Sequence, residues 1–236
     1  MRLAAGAIIV LGLAFSSGLS LSAQGGTKTP AAAKPAEVSF QFEREGLPVP
    51  RFTLRVEEDG TGSYQAEEEV SPADKGVVQY ASPKHIDRSL KLTMPTVAKI
   101  FKAARALDYF DMSCESTAKN IANTGKKTLR YAGADGAGSC IYNYSSNKEV
   151  TELTDTFLSI AFTLDEGRRL EFLHRYDRLG LDEEMTELVQ AAKAGHALEL
   201  ETIAPVLTSI AGDAAVIERV RSQATKLLEQ SQSNKI

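Results

Sequence analysis

The side chains best suited to chemistry in this 236-residue chain are two cysteines and three histidines. Cys140 closes the stretch GAGSC and runs into IYNY, while Cys114 stands in DMSCEST. A cysteine after glycines could be a nucleophile, a redox thiol or half of a staple. A nucleophile needs a nearby base and an electropositive setting to hold it as thiolate. A thioredoxin-like pair places two residues between its cysteines, and this pair does not. The N-terminus marks the chain for export, and an even cysteine count there reads as one bridge. Cys114 and Cys140 are therefore expected to be disulfide-bonded.

His85, His174 and His196 share no ligand spacing of the HExxH kind, so no metal site is predicted. His174 has Asp177 three residues on, in LHRYDR; on a helix the two would share a face, as a base oriented by a carboxylate. They are the catalytic candidates. No GxSxG elbow accompanies them, and the simpler reading is an exposed helix face with polar neighbours. His85 with Asp87, in a proline-flanked loop, reads the same way, and His196 after Gly195 reads as a local cap or a solvent-facing residue.

The acidic runs EEDG (57–60), EEE (67–69) and DEE (182–184) lack the alternating ligands of a calcium loop. EEE reads as a charged strand edge that resists edge-to-edge pairing, and DEE as a helix start. GTG (60–62) and GAG (136–138) precede no helix, as a phosphate loop would require, and read as hairpin turns. GKK (125–127) reads as a solvated basic patch. No cofactor is implied.

The elements that must position these groups follow from periodicity. Residues 1–23 have one basic residue, Arg2, then an apolar run of 13 residues and a small-residue end, which is the layout of a signal peptide cut after Ala23. The run is shorter than the ~20 residues a spanning helix needs, so no stable membrane span is expected after cleavage. Residues 24–37 are rich in Gly, Pro, Ala and Lys and read as a disordered linker. Period-two alternation then predicts strands near 38–44, 51–57 and 62–69, with an edge strand at 77–80 and a short extended piece through Leu90 and Leu92. Thr93 as N-cap and Pro95 in the first turn open a helix whose stripe is Val97, Ile100, Phe101, Ala104 and Leu107. Tyr109 and Phe110 should fold back onto the same core. A second hairpin covers 128–132 and 140–144.

From 149 the period becomes helical. One helix is expected through Val150–Ala161, another around Leu170–Leu173, and three more around Met185, Leu207 and Val220. Residues 231–236 should fray. The fold class is α+β: an antiparallel sheet of about five strands covered by one helix (38–148), followed by a C-terminal helical section (149–230).

Pro205, Leu207, Asp213, Val220-Arg221 and Ala224 make residues 203–230 resemble one HEAT-type helical hairpin. The strand pair RFTLRVEEDGTGSYQ, the helix KIFKAARALDYFDM and the later strand pair resemble small exported bacterial domains of unknown function, over about 50–145. Neither resemblance implies a catalytic residue or a binding surface.

The net charge of −4 and the lack of any strongly basic stretch argue against a nucleic-acid partner. With no Trp and few aromatics, nothing favours a carbohydrate platform. The sequence thus implies an exported, periplasmic or secreted, non-enzymatic protein that binds a protein or envelope component. A hydrolase-like enzyme using His174 and Asp177, and a purely structural envelope module, are the alternatives.

Overall fold

The computed structural model describes residues 35–69 and 84–233. The signal peptide, most of the linker, the 77–80 strand and the last three residues lie outside the described residues. Ala36 is already buried, and β1 begins at Glu37.

Six strands form one antiparallel sheet: β1 (Glu37–Glu43), β2 (Arg51–Glu57), β3 (Thr61–Glu68), β4 (Lys84–Lys91), β5 (Lys126–Ala132) and β6 (Ala137–Tyr142), in the order β4-β3-β2-β1-β5-β6. The alternation sets which face is buried. Val38, Phe40 and Phe42 of β1 lie opposite Val56, Leu54 and Phe52 of β2, and all six are buried. Ser39, Gln41, Thr53, Arg55, Thr128 and Arg130 occupy the opposite face, as an antiparallel sheet solvated on one side requires. The β2–β3 turn is closed by Asp59, whose Oδ1 accepts from the backbone N (2.8 Å) and hydroxyl (2.7 Å) of Thr61.

Helix α1 (Met94–Ala106) covers the inner face through Val97, Ile100, Phe101 and Ala104. Thr93 precedes it as expected, but its side chain makes no local cap. The cap comes from far away: Glu199 accepts from Thr93 N (2.7 Å), the Thr93 hydroxyl (2.7 Å) and the Thr96 hydroxyl (2.5 Å). Asp108, Tyr109 and Phe110 then follow with φ of 50°, 54° and 66°, a left-handed run that L-residues resist. Its compensation is packing. Phe110 is fully buried, and the Tyr109 ring packs tilted against Tyr131 with centroids 5.0 Å apart. A Cβ on Gly136 would strike that ring, so the glycine-rich β5–β6 turn is small because Tyr109 lies on it.

The two helices expected between 150 and 173 are one. Helix α2 (Lys148–Tyr176) runs 29 residues, capped by Asn147 Oδ1, which accepts from Glu149 N (2.9 Å) and Val150 N (3.4 Å). Gly167, within α2, is where Ile203 packs against the helix, and a Cβ there would overlap the Ile203 side chain. The first half of α2 joins α1 on the sheet, with Phe157 stacked on Phe40 at 5.1 Å. The second half enters a separate apolar core with α3 (Leu181–Ala194), α4 (Ala204–Gly212) and α5 (Glu218–Ser233), centred on Leu170, Met185, Leu188, Leu207 and Val220. The helices expected around Met185, Leu207 and Val220 are α3, α4 and α5; α4 is entered through a 3-10 turn at Leu200–Ile203.

Two expectations about charge are corrected. The acidic run 67–69 is not an open edge, because β4 pairs with β3 and sets Glu67 opposite His85 and Glu68 opposite Lys84. Lys127 of GKK is not solvated. It shares the inward side of β5 with Leu129 and Tyr131, and its ammonium donates to the carbonyls of Thr124 (3.2 Å), Gly125 (2.9 Å) and Asn143 (2.8 Å). Burial lowers its pKa, as desolvation of a cation must.

Candidate functional site

The groups singled out by sequence fall at two places. Cys114, in the segment after α1, and Cys140, on β6, lie at disulfide distance with Cα atoms 5.7 Å apart, and both are buried. The spacing fits the usual disulfide range. Cys140 therefore offers no free thiol for nucleophilic work.

His174 sits near the C-terminus of α2, but its partner is not Asp177. Asp177 ends the helix as its C-cap, with extended backbone that leaves the helical face. The His174 ring instead meets Asp213, just after α4, with Nε2 and Oδ2 2.9 Å apart. Arg178 approaches the same oxygen at 3.3 Å, and Oδ1 accepts from Ala215 N at 2.9 Å. The Ala215 N–H first, then His174 and Arg178, hold the Asp213 carboxyl below the usual carboxylate range. Two sequence-distant segments build this pair, so no local spacing signals it. His196 follows Gly195 at the end of α3, whose φ of 77° is the left-handed C-cap expected there, and the His196 N–H closes onto the Ala191 carbonyl. His85 lies not in a loop but on β4.

Two concavities flank the C-terminal half of α2. A groove of about 730 Å³ runs between it and β4, with Lys84, Ile86, Phe172 and Tyr176 in its walls. A cavity of about 290 Å³ lies on the other side, where His174 and Ser209 both face it. Arg88, Glu171 and Arg175 border both. Arg88 reaches Glu171 at 3.1 Å and Arg175 reaches it at 3.7 Å, so the ridge between them is an ion-paired strip.

The ridge carries the most exposed aromatic pair among the described residues. Phe172 and Tyr176 are 60% and 68% exposed with ring centroids 5.1 Å apart. The Arg175 guanidinium lies 5.9 Å from the Tyr176 ring, and the turn after α2 adds Leu179 at 93% exposure. Of the four arginines between 168 and 179, Arg168 and Arg169 turn inward to Glu68 and Asp165 and to Glu166 and Glu184, while Arg175 and Arg178 stay more than half exposed beside the aromatic pair and Leu179. Sequence periodicity missed this patch, because Phe172 and Leu173 together looked like core. Leu173 does pack on the helical core, while Phe172, one position earlier, is turned out to solvent.

Beneath the ridge, α2 is tied to the sheet by a polar network. Tyr64 donates to Asp165 (2.9 Å to Oδ1), and Arg168 pairs with Glu68 (2.9 Å) and Asp165 (3.4 Å). Burial raises Asp165 despite these donors. The network fixes the direction in which the ridge projects.

Among the described residues no group of three or more His, Cys, Asp or Glu side chains is placed to hold a metal ion, and no helix is long and apolar enough to cross a membrane. No family model and no curated protein matches the chain.

Proposed function

We propose that this is an exported binding protein whose docking surface is the Phe172–Tyr176–Leu179 ridge, and that its occupant is a protein with an apolar pocket and an acidic rim. The carrying observation is an aromatic pair, more than half exposed, on a helix whose other side is held rigidly in two cores. Stable chains seldom leave such groups together in water without use, and Tyr and Arg dominate the residues that anchor protein interfaces. The exposed guanidiniums of Arg175 and Arg178, beside Tyr176 and Leu179, support the acidic rim. The disulfide-distance pair and the N-terminal segment support export.

A photo-crosslinking amino acid at position 176 tests this in envelope extract, with position 94 as control because Met94 is also exposed but lies on α1. A discrete adduct at 176 that is absent at 94 is expected. Equal, diffuse labelling at both positions would leave the structural-module reading standing and overturn the docking surface.

A hydrolase-like use of His174 is the second reading. It is favoured by the His174–Asp213 contact beside the cavity that Ser209 also lines. Hydrolysis of a generic ester that is lost in both His174→Ala and Ser209→Ala would favour it over the binding module.

A further inference from the structure

Between the two cores, the turn of α2 from Asp165 to Arg169 is polar yet enclosed. Its two arginines serve different partners. Arg168 is used by Glu68 and Asp165, and Arg169 lies between Glu166 and Glu184 of α3. The second set does not balance. The Glu166 and Glu184 side chains are 4% and 11% exposed, and they face a single guanidinium that is itself more than half in water. Arg169 Nη1 lies 3.3 Å from Glu166 Oε1, and Nε lies 3.0 Å from Glu184 Oε1. Glu166 Oε2 and Glu184 Oε1 nevertheless receive no hydrogen bond; the Arg169 Nε approach is close but out of line.

Two ionised carboxylates would therefore leave one uncompensated negative charge and unfilled acceptors in a nearly dry helix contact. Buried charge without a partner is among the costliest arrangements a fold can hold. One proton removes both defects, since a neutral carboxyl donates to its ionised neighbour. The surrounding charges do not supply the missing cation. From β3, Glu68 is held by Arg168 and Lys84. From β4, Arg88 is held by Glu171, while His85 and Asp87 lie along the groove wall. From α2, Arg175 also turns to Glu171. From α3, Asp182 is taken by Arg219 of α5, and Glu183 and Glu187 are exposed.

We propose that Glu166, Glu184 and Arg169 form a proton-dependent clasp: one shared proton closes it and holds the start of α3 against α2, and loss of that proton loosens α3. Burial, and then the Glu184 carboxyl facing it, push Glu166 up to about 8. A carboxyl raised on folding stabilises most when protonated. The clasp is at full strength below about 4.5, the ordinary glutamate value, weakens as pH rises from there, and is open above about 8. The window spans neutral pH. The proposal is independent of the docking surface, because its readouts need no partner.

The test is a carbon-13 titration of the glutamate carboxyls in the full chain, with melting temperature and α3 hydrogen exchange followed from pH 5 to 9. The expected result is one glutamate titrating well above the others and returning toward the ordinary range in Glu184→Gln. The melting temperature of the wild type should fall across the window, and α3 amides should lose roughly ten-fold protection beyond the intrinsic change in exchange rate. Glu166→Gln supplies a permanent N–H donor and should flatten both profiles. If every glutamate of the wild type titrates near the ordinary value, or if Glu166→Gln keeps the wild-type slope, the clasp is refuted. The wild-type titration decides even if a variant fails to fold.

Discussion

Glu199 is the sharpest test of how the helical section and the sheet layer are joined. Its carboxylate accepts from Thr93 N and from the hydroxyls of Thr93 and Thr96, across more than a hundred residues of chain. Hydrogen bonds to a charged acceptor contribute more than neutral ones, and an N-cap is worth about 1 kcal/mol by itself. Taking each bond at about 1 kcal/mol for a partly exposed site, Glu199→Ala should cost about 3 kcal/mol. The residue also holds φ at 58°, a left-handed conformation that glycine adopts without strain. Glu199→Gly loses the same bonds but recovers about 1 kcal/mol of backbone strain, so it should be the milder variant, at about 2 kcal/mol. Urea unfolding at neutral pH reads both. In a double-mutant cycle with Thr93→Ala, the coupling should be about 1 kcal/mol, since only the hydroxyl bond is shared. A cost below about 0.5 kcal/mol for Glu199→Ala, or zero coupling to Thr93, would refute the long-range cap.

Other perturbations follow from the same geometry. Reducing the Cys114–Cys140 pair frees the loop it closes and should lower stability by about 3 kcal/mol in the chain-entropy picture, read as a shift of the urea midpoint on adding reductant; an unchanged midpoint argues against a bridge. Gly167→Ala places a methyl group on Ile203 and should destabilise by about 2 kcal/mol, with partial rescue by Ile203→Ala; a neutral Gly167→Ala would mean α2 and Ile203 are not in close contact. Tyr64→Phe removes the donor to a largely buried Asp165 and should cost about 2 kcal/mol, measured by thermal or urea unfolding, whereas a neutral result would mean water satisfies that carboxylate.

What the sequence made legible was periodicity, and what it hid was charge. The strands of Val38, Phe40 and Phe42 and of Phe52, Leu54 and Val56 declare themselves, because every second side chain is apolar and buried. β4 did not. Its inward positions are Ile86, Arg88 and Leu90, and the arginine in the middle breaks the pattern; it can point inward because Glu171 of α2 meets it. Lys127 misleads for the same reason, since the carbonyls that accept from it include Asn143, beyond the next strand. The α2 break expected between Ala161 and Leu170 falls where the apolar stripe lapses across the charged DEGRR run, but the helix itself continues. Asp165, Glu166 and Arg168 are in fact enclosed, and Gly167 is required by contact rather than by a turn. The disulfide partners were legible from the expected export and from parity, because only two cysteines exist to be joined. The His174 partner was not, because Asp213 arrives from α4, and no spacing along the chain encodes a meeting of two helices.

The binding account rests on the α2 ridge and is tested most directly by an affinity. Once the partner crosslinked at position 176 is purified, its dissociation constant should be measured for the wild type and for Tyr176→Ala at several salt concentrations. A truncated anchor at the centre of an interface should weaken binding by at least about ten-fold, and the exposed Arg175 and Arg178 should make the wild-type affinity fall with salt. An unchanged dissociation constant for Tyr176→Ala would contradict the assignment of this ridge as the docking surface.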